Sequence, residues 1–214
     1  MPEISIACLP VGELQANCYI LGCPETKKGI IIDPGDEPNV IGDYISQEGI
    51  HPTHLINTHG HFDHIGANRE IKELYPEVQV CVHKADAPML PKPFKNYSVL
   101  QGRFYRSPVA EVLLEDGSVI TSGRIELTVV HTPGHTPGGV CLVLEGKPVE
   151  IFTGDTLFAG GVGRTDFPGG DWDALVEGIK GRIYKYPDDT IVYPGHGPET
   201  TIGEECQTNP FVSG

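Results

Sequence analysis

What this chain has little of narrows it before any motif is read. Across its 214 residues no run approaches eighteen consecutive apolar positions, so no segment can span a bilayer as a helix and no membrane partner is expected. The opening stretch MPEISIACLPVGE lacks the basic region and following apolar region of a secretory signal, which makes the cytoplasm the expected compartment. Cations are scarce: 15 Lys and Arg face 29 Asp and Glu, for a formal net charge of −14. Phosphate backbones are bound mainly by lysine and arginine through counterion release, so the balance argues against a nucleic-acid partner and against a nuclease. There is no CxxC pair, and the six cysteines (Cys8, Cys18, Cys23, Cys81, Cys141 and Cys206) are scattered, most of them in apolar runs. They read as reduced, structural thiols behaving as small hydrophobes, and a cysteine-based zinc site is not expected.

What is present is an ordinary globular composition, 39% hydrophobic, with no declared repeat and no low-complexity linker. One domain over residues 1–214 is the simplest account. Short apolar runs (ISIACL, NCYIL, GIIID) broken by Gly and Pro predict antiparallel strands over about residues 3–33. Val40, Ile41, Tyr44 and Ile45 follow at helical spacing, with Gly49 as a stop, so a helix is expected near residues 38–48. THLIN is a further strand; Ala67, Ile71, Leu74 and Tyr75 form one stripe of a second helix, which Pro76 ends; VQVCVH is a strand again. Residues 84–109 are Pro-rich, aromatic and locally basic (Lys84, Lys92, Lys95, Arg103, Arg106) without clear period, equally a lid or a surface loop with solvated charges. Strands resume over residues 111–152, with a turn at Asp116 and Gly117. Trp172, Leu175, Val176, Ile179 and Ile183 then mark a third helix with Asp171 as N-cap. Strand groups separated by a few helices indicate a mixed α/β fold whose sheets are covered on both faces.

The chemistry concentrates in NTHGHFDHIG, where His59, His61, Asp63 and His64 fall within six positions directly after an apolar run. A core gains nothing from such residues, because unpaired buried polar groups lose hydration without replacement. Any one histidine here could sit in a solvated turn. Four together, with Gly60 allowing tight bends, are what zinc, iron or manganese would bind. The pattern recurs: LTVVHTPGH delivers His131 and His135, VEIFTGD delivers Asp155, and TIVYPGH delivers His196. Each time a β-prone stretch stops at a Gly-containing turn bearing a ligand-type residue. In α/β sheets such strand ends line the crevice where ligands bind, so distant segments converge there.

HGHFDH at residues 59–64, His135 in HTPGHTPGG, Asp155 in TGDTLF and His196 in YPGHGP together resemble the metallo-β-lactamase superfamily over nearly the whole chain. The resemblance implies an αββα sandwich with a dinuclear metal site at one edge of the sheets. GGVGRTDFPGGD at residues 160–171 brings it nearest to single-domain type II glyoxalase-like proteins, that is, hydroxyacylglutathione hydrolases. Carried over by motif position, His59, His61 and His135 would hold one divalent ion, Asp63, His64 and His196 the other, and Asp155 would bridge them. Zinc is the expected metal, with iron or manganese as alternatives. His131 receives no ligand role and reads as a supporting or packing residue.

The implied reaction is hydrolysis of a small-molecule thioester, S-lactoylglutathione or a related hydroxyacyl thioester. A metal-bridging hydroxide would attack the carbonyl carbon, so no side-chain nucleophile is needed. Asp63 either ligates alone or also orients the attacking water. Arg164 either meets the glutathione moiety or pairs with Asp166 to fix its loop. The chain departs from larger glyoxalases, which use tyrosines near the equivalents of Asp166 and Pro198 and basic residues on a C-terminal extension. Only 18 residues follow His196, none of them lysine or arginine. Either residues 84–109 supply replacement cations or the natural thioester differs.

Persulfide dioxygenases are the first rival, sharing the fold and similar motifs but using a mononuclear iron site and oxygen; PGHGP around His196 is closer to the hydrolases. A purely structural metal cluster is the reading from outside enzymology. Structural zinc cages are closed and cysteine-dominated, whereas seven His/Asp ligands for two ions leave positions open. β-Lactam hydrolysis is not favoured by the residues around Asp155 and Arg164.

Overall fold

The computed structural model describes residues 4–213. The chain opens on β1 (Ser5–Val11), β2 (Ala16–Gly22) and β3 (Lys28–Ile32), which pair antiparallel in sequence. β2 is buried along its whole length, as its nearly unbroken apolar run ANCYILG requires of a strand covered on both faces. α1 (Pro38–Glu48) starts with proline at its first turn, where a missing N–H costs nothing. It buries Ile41 and Ile45 on the sheet and stops at Gly49, whose φ of 63° lets its N–H reach the carbonyls of Ile45 and Ser46.

β4 (His51–Ile56), α2 (Phe62–Ile65), α3 (Asn68–Leu74), β5 (Gln79–His83) and β6 (Val112–Leu114) follow. β3, β4, β5 and β6 are mutually parallel, completing a six-stranded sheet in the order β1-β2-β3-β4-β5-β6. The stripe expected over Ala67, Ile71, Leu74 and Tyr75 is buried at Ala67 and Ile71. Leu74, at the last position of α3, is 55% exposed instead.

Asp116 and Gly117 carry the chain to the second sheet, built from β7 (Val119–Ser122), β8 (Ile125–His131), β9 (Val140–Leu144) and β10 (Glu150–Gly154). A small hairpin, β11 (Leu157–Phe158) with β12 (Gly161–Val162), precedes α4 (Trp172–Gly181), β13 (Ile191–Pro194), β14 (Thr200–Thr201) and α5 (Ile202–Thr208). This sheet runs β14-β13-β10-β9-β8-β7. The Asp171 carboxylate caps α4 by accepting from the Ala174 N–H at 3.0 Å, as its position predicts. Ile183 falls beyond that helix, in a separate single turn. α5 had no clear signature in the sequence.

The sheets face each other across Tyr19, Leu21, Ile30, Ile32, Ile56, Leu127, Val129, Leu142 and Phe152. α1 and α3 cover the outer face of the first sheet, α4 and α5 that of the second. The result is the four-layered αββα sandwich expected. No helix among the described residues is long and apolar enough to cross a membrane, and all six cysteines are free thiols, four of them buried.

At one edge of the sandwich the rings of His83 (end of β5) and His131 (end of β8) stack at 4.0 Å, 14° from parallel, and so join the two sheets. His131 is thus a packing residue. Burial, and then His131 beside it, pushes the His83 imidazole down to about 4.

Two predictions concern this sandwich. Phe152 lies fully buried between Tyr19 and Tyr193, so Phe152→Ala should lower the unfolding free energy by about 3–5 kcal/mol in urea titrations. The second is a pH dependence. His83 takes its proton in the fold only near pH 4, but in the unfolded chain near the ordinary value of about 6.5. The stability tied to its neutral ring is therefore present above that pH and lost as pH falls toward 4. At equal metal content, His83→Gln should lose less stability than the parent over that interval; identical losses would refute the assignment.

Candidate metal centre

Strand direction explains why separated motifs meet. β3, β4 and β5 are parallel; in the second sheet β8 and β10 flank the antiparallel β9, and β13 is parallel to β10. All the relevant strands therefore end at one edge of the sandwich. His59, His61, Asp63 and His64 follow β4, His135 follows β8, Asp155 follows β10, and His196 follows β13. The approach is tight enough to exclude side chains from the intervening backbone. A β-carbon on Gly195 would overlap the Asp155 carboxylate and the His64 ring, and one on Gly163 would overlap the Asp155 carbonyl.

All seven predicted residues are brought together. His59 Nε2 and His135 Nε2 lie 3.1 and 2.8 Å from His61 Nδ1. On the other side, His196 Nε2 lies 3.3 Å and His64 Nε2 3.7 Å from Asp63 Oδ2. Asp155 stands between the groups: Oδ2 is 3.5 Å from His135 Nε2, while Oδ1 is 3.3 Å from His64 Nε2 and 3.7 Å from His196 Nε2. The trios His59/His61/His135 and Asp63/His64/His196 each present ligand atoms within 4.8 Å of one another.

The rings are oriented by acceptors outside the cluster. The Nδ1–H of His64 donates to Asp33 Oδ2 at 3.0 Å, that of His135 to the Arg164 carbonyl at 2.7 Å, and that of His196 to the Leu14 carbonyl at 3.1 Å. Thr58 donates its hydroxyl to Asp33, leaving its oxygen to accept from His59 Nδ1–H at 3.2 Å. A proton held at Nδ1 leaves the Nε2 lone pair pointing inward, the tautomer a metal ligand needs.

Burial, then neighbouring His135, drives His61 down to about 3; burial, then His64 and His61, drives His59 well below the usual range. Burial opposes a proton on His64, but Asp155, Asp63 and Asp33 outweigh it and raise its affinity well above normal. Burial likewise opposes ionisation of Asp155, and His64 outweighs it, holding the carboxylate ionised. Buried carboxylates among imidazole lone pairs call for a cation. His64 Nε2 and Asp155 Oδ1 are buried without a hydrogen-bond partner, which is costly unless something else occupies them. The donor set therefore fits divalent metal.

An open cavity of about 250 Å³ adjoins the cluster, reached by His61, Asp63, His135 and Asp155. Residues 84–109 supply part of its wall through Tyr97, Leu100 and Gln101, and the Phe62 N–H donates to the Asn96 carbonyl at 3.0 Å, tying the segment to the histidine motif. None of its basic residues is among those lining the cavity: Lys84 pairs with Glu115, and Arg103 with Asp36 and Glu13. Arg164 lines the cavity, and its guanidinium is held by Asp166 in two contacts of 2.7 and 2.8 Å.

The sequence reading passed over two buried aspartates. Asp33 closes the run GIIID, the same apolar-run-then-carboxylate signal that marked Asp155, and it holds both Thr58 and His64. Asp86 accepts from the Gly60 and Gly138 N–H groups and the Thr136 hydroxyl, binding the His59–His64 loop to the His135 loop; no local pattern announces it. Asp33→Asn should keep the fold but weaken metal binding about 10–100-fold, because His64, in the cluster that could hold the metal, loses its anionic partner. Chelator competition with far-UV circular dichroism as control checks this; unchanged affinity would count against the role.

Comparison with known proteins agrees with this geometry. The family model described as the metallo-beta-lactamase superfamily matches residues 11–196. The probable metallo-hydrolase YqgX of Bacillus subtilis (strain 168) is 37% identical, with 96% of each chain covered. The hydroxyacylglutathione hydrolase GloC of Haemophilus influenzae is 35% identical, with 98% of this chain and 99% of that one covered. Among solved structures, BLEG-1 B3 metallo-beta-lactamase superposes with a TM-score of 0.92 at 36% identity (98% of this chain, 100% of that one). TTHA1623 in a di-iron-bound form gives 0.85 at 37% (96% and 99%). ETHE1 from Myxococcus xanthus gives 0.82 at 28% (98% and 84%). With its fold, its converging histidines and aspartates and this match over most of its length, the chain belongs to the metallo-beta-lactamase superfamily.

Proposed function

We infer that the protein is a dinuclear metal-dependent hydrolase of thioesters, acting on S-lactoylglutathione or a related hydroxyacyl thioester. The observation that carries this is the position of Asp155, one oxygen toward each histidine group, beside an open cavity. His59, His61 and His135 would hold one divalent ion and Asp63, His64 and His196 the other, with Asp155 shared. When bound, two such ions, zinc by preference or iron or manganese, supply a hydroxide nucleophile near neutral pH and stabilise a developing oxyanion.

The chain's own part is positioning. Asp33, Thr58 and the carbonyls of Arg164 and Leu14 hold the imidazoles with their lone pairs inward. Asp63 also lines the cavity, which supports a role for its carboxylate in orienting the attacking water as well as in ligation. A thiolate leaves readily, and the mechanism asks for no strong general acid. The relative named hydroxyacylglutathione hydrolase supports this substrate class.

An iron-dependent persulfide dioxygenase is the second reading, favoured by the likeness to ETHE1. Against it stands the second trio, Asp63, His64 and His196, whose ligand atoms also lie within 4.8 Å of one another. Two measurements divide the readings: metal per chain, and thiol release from S-lactoylglutathione against oxygen uptake with glutathione persulfide. Two ions with thiol release are expected; one iron with oxygen uptake overturns the proposal. Asp155→Ala should lower metal content to one ion or none and abolish turnover, and retention of both refutes the shared role.

A further inference from the structure

Resting on the thioester reading, we propose that the cavity selects substrates whose thiol portion is apolar and uncharged, in preference to the carboxylate-bearing glutathione. The wall beside the centre is aromatic. Tyr97 and Phe167 stack at 4.7 Å, and both rings meet His61, at 5.3 and 5.9 Å. Tyr97 is held there at a φ of 64°, a left-handed conformation unfavourable for a bulky residue, with its hydroxyl donating to the Pro168 carbonyl at 3.3 Å. Toward solvent the wall continues as Leu14 and Leu100, which are 48% and 66% exposed. An apolar rim on a cavity leading to the reactive centre marks a surface that gains by being covered.

The electrostatics of the wall give glutathione little to pair with. Glutathione carries two carboxylates, and a site that selects it needs cations free to pair with them. Among the described residues Arg164 is the one cation lining this cavity, and its guanidinium already has a bidentate carboxylate partner in Asp166 while lying 4.1 Å from the centre of the Phe167 ring. A substrate carboxylate would compete with Asp166 for this guanidinium, whose charge is already balanced and whose Nε and Nη2 face are taken. Arg103, in the neighbouring groove, is likewise committed to Asp36 and Glu13. Arg164, charge-balanced by Asp166, thus sits over the Phe167 ring and extends the aromatic wall. Cleavage itself is hydrolysis: water adds to the acyl carbon, the C–S bond breaks, and the acid and the thiol leave without any redox partner.

The test separates binding from turnover. Matched thioethers, 2-(benzylthio)ethanol and S-(2-hydroxyethyl)glutathione, are titrated calorimetrically into the metal-loaded protein. Lactoyl thioesters of benzyl mercaptan and of glutathione are then compared by kcat/KM, each divided by its own rate in hydroxide solution. The benzyl compounds should bind at least tenfold more tightly and react with at least tenfold higher normalised kcat/KM. Leu100→Ser, at an exposed position that the fold does not depend on, should raise KM for the benzyl thioester at least threefold and shift the glutathione thioester less than twofold. Equal or better binding and turnover of the glutathione compounds overturns the selectivity while leaving the hydrolase reading intact. Hydrolysis of neither thioester by protein carrying two metals per chain overturns that reading, and the selectivity with it.

Discussion

Five imidazoles and two carboxylates share a space only a few ångströms across, and the rest of the molecule can be understood as what that crowding requires. Lone pairs aimed at one another, and carboxylates removed from water, are both unfavourable without a cation among them, and keeping the rings in that arrangement takes partners on their far sides. The far-side partners are therefore as necessary as the cluster. Asp33 reaches His64 directly and His59 through Thr58, while main-chain carbonyls at Arg164 and Leu14 hold His135 and His196. Loops alone could not keep so many groups in register, and the two sheets supply the rigidity.

The sandwich does this through strand direction. Because β3, β4, β8, β10 and β13 all finish at the same edge, four short loops can each deliver one or more residues of the cluster, and a fifth delivers Asp33 behind it, without long excursions of backbone. Cross-links then fix the loops to one another. Asn17 on β2 donates to the carbonyls of Pro194 and Gly197 around the His196 turn, and Asp86 joins the loops bearing His61 and His135. Glycines at positions 163 and 195 keep the path open where backbone passes against Asp155. The centre is thus an edge phenomenon of the sheets, and the cavity is walled above that edge by residues 84–109, the loop around Phe167 and Leu14 in the turn after β1.

Those two segments are where chemistry beyond the cluster is decided. Each contains basic residues, yet the folded arrangement sends Lys84 and Arg103 to carboxylates away from the centre and neutralises Arg164 in place. What reaches the cavity from them is Tyr97, Leu100, Gln101, Phe167 and the paired Arg164. A composition rich in lysine and arginine over residues 84–109 therefore produces an aromatic wall rather than a cationic one.

Local pattern was enough for much of the architecture. The Pro38–Glu48 helix with its Gly49 stop, the Asp171 cap and the buried strands follow from periodicity and capping, which act over a few neighbouring residues. The cluster residues were legible for a related reason: ligand-type side chains at the ends of apolar runs are costly anywhere except at a shared site. α5 escaped notice because its short sequence lacks a strong apolar stripe and its place depends on packing against β14 and the turn near Ile183. Asp33 and Asp86, the pairing of Lys84 and Arg103 with distant carboxylates, the His83–His131 stack and the exposure of Leu74 were fixed only in three dimensions. Each depends on partners tens of residues away, and a sequence states which groups are available while the packed chain alone states which of them meet.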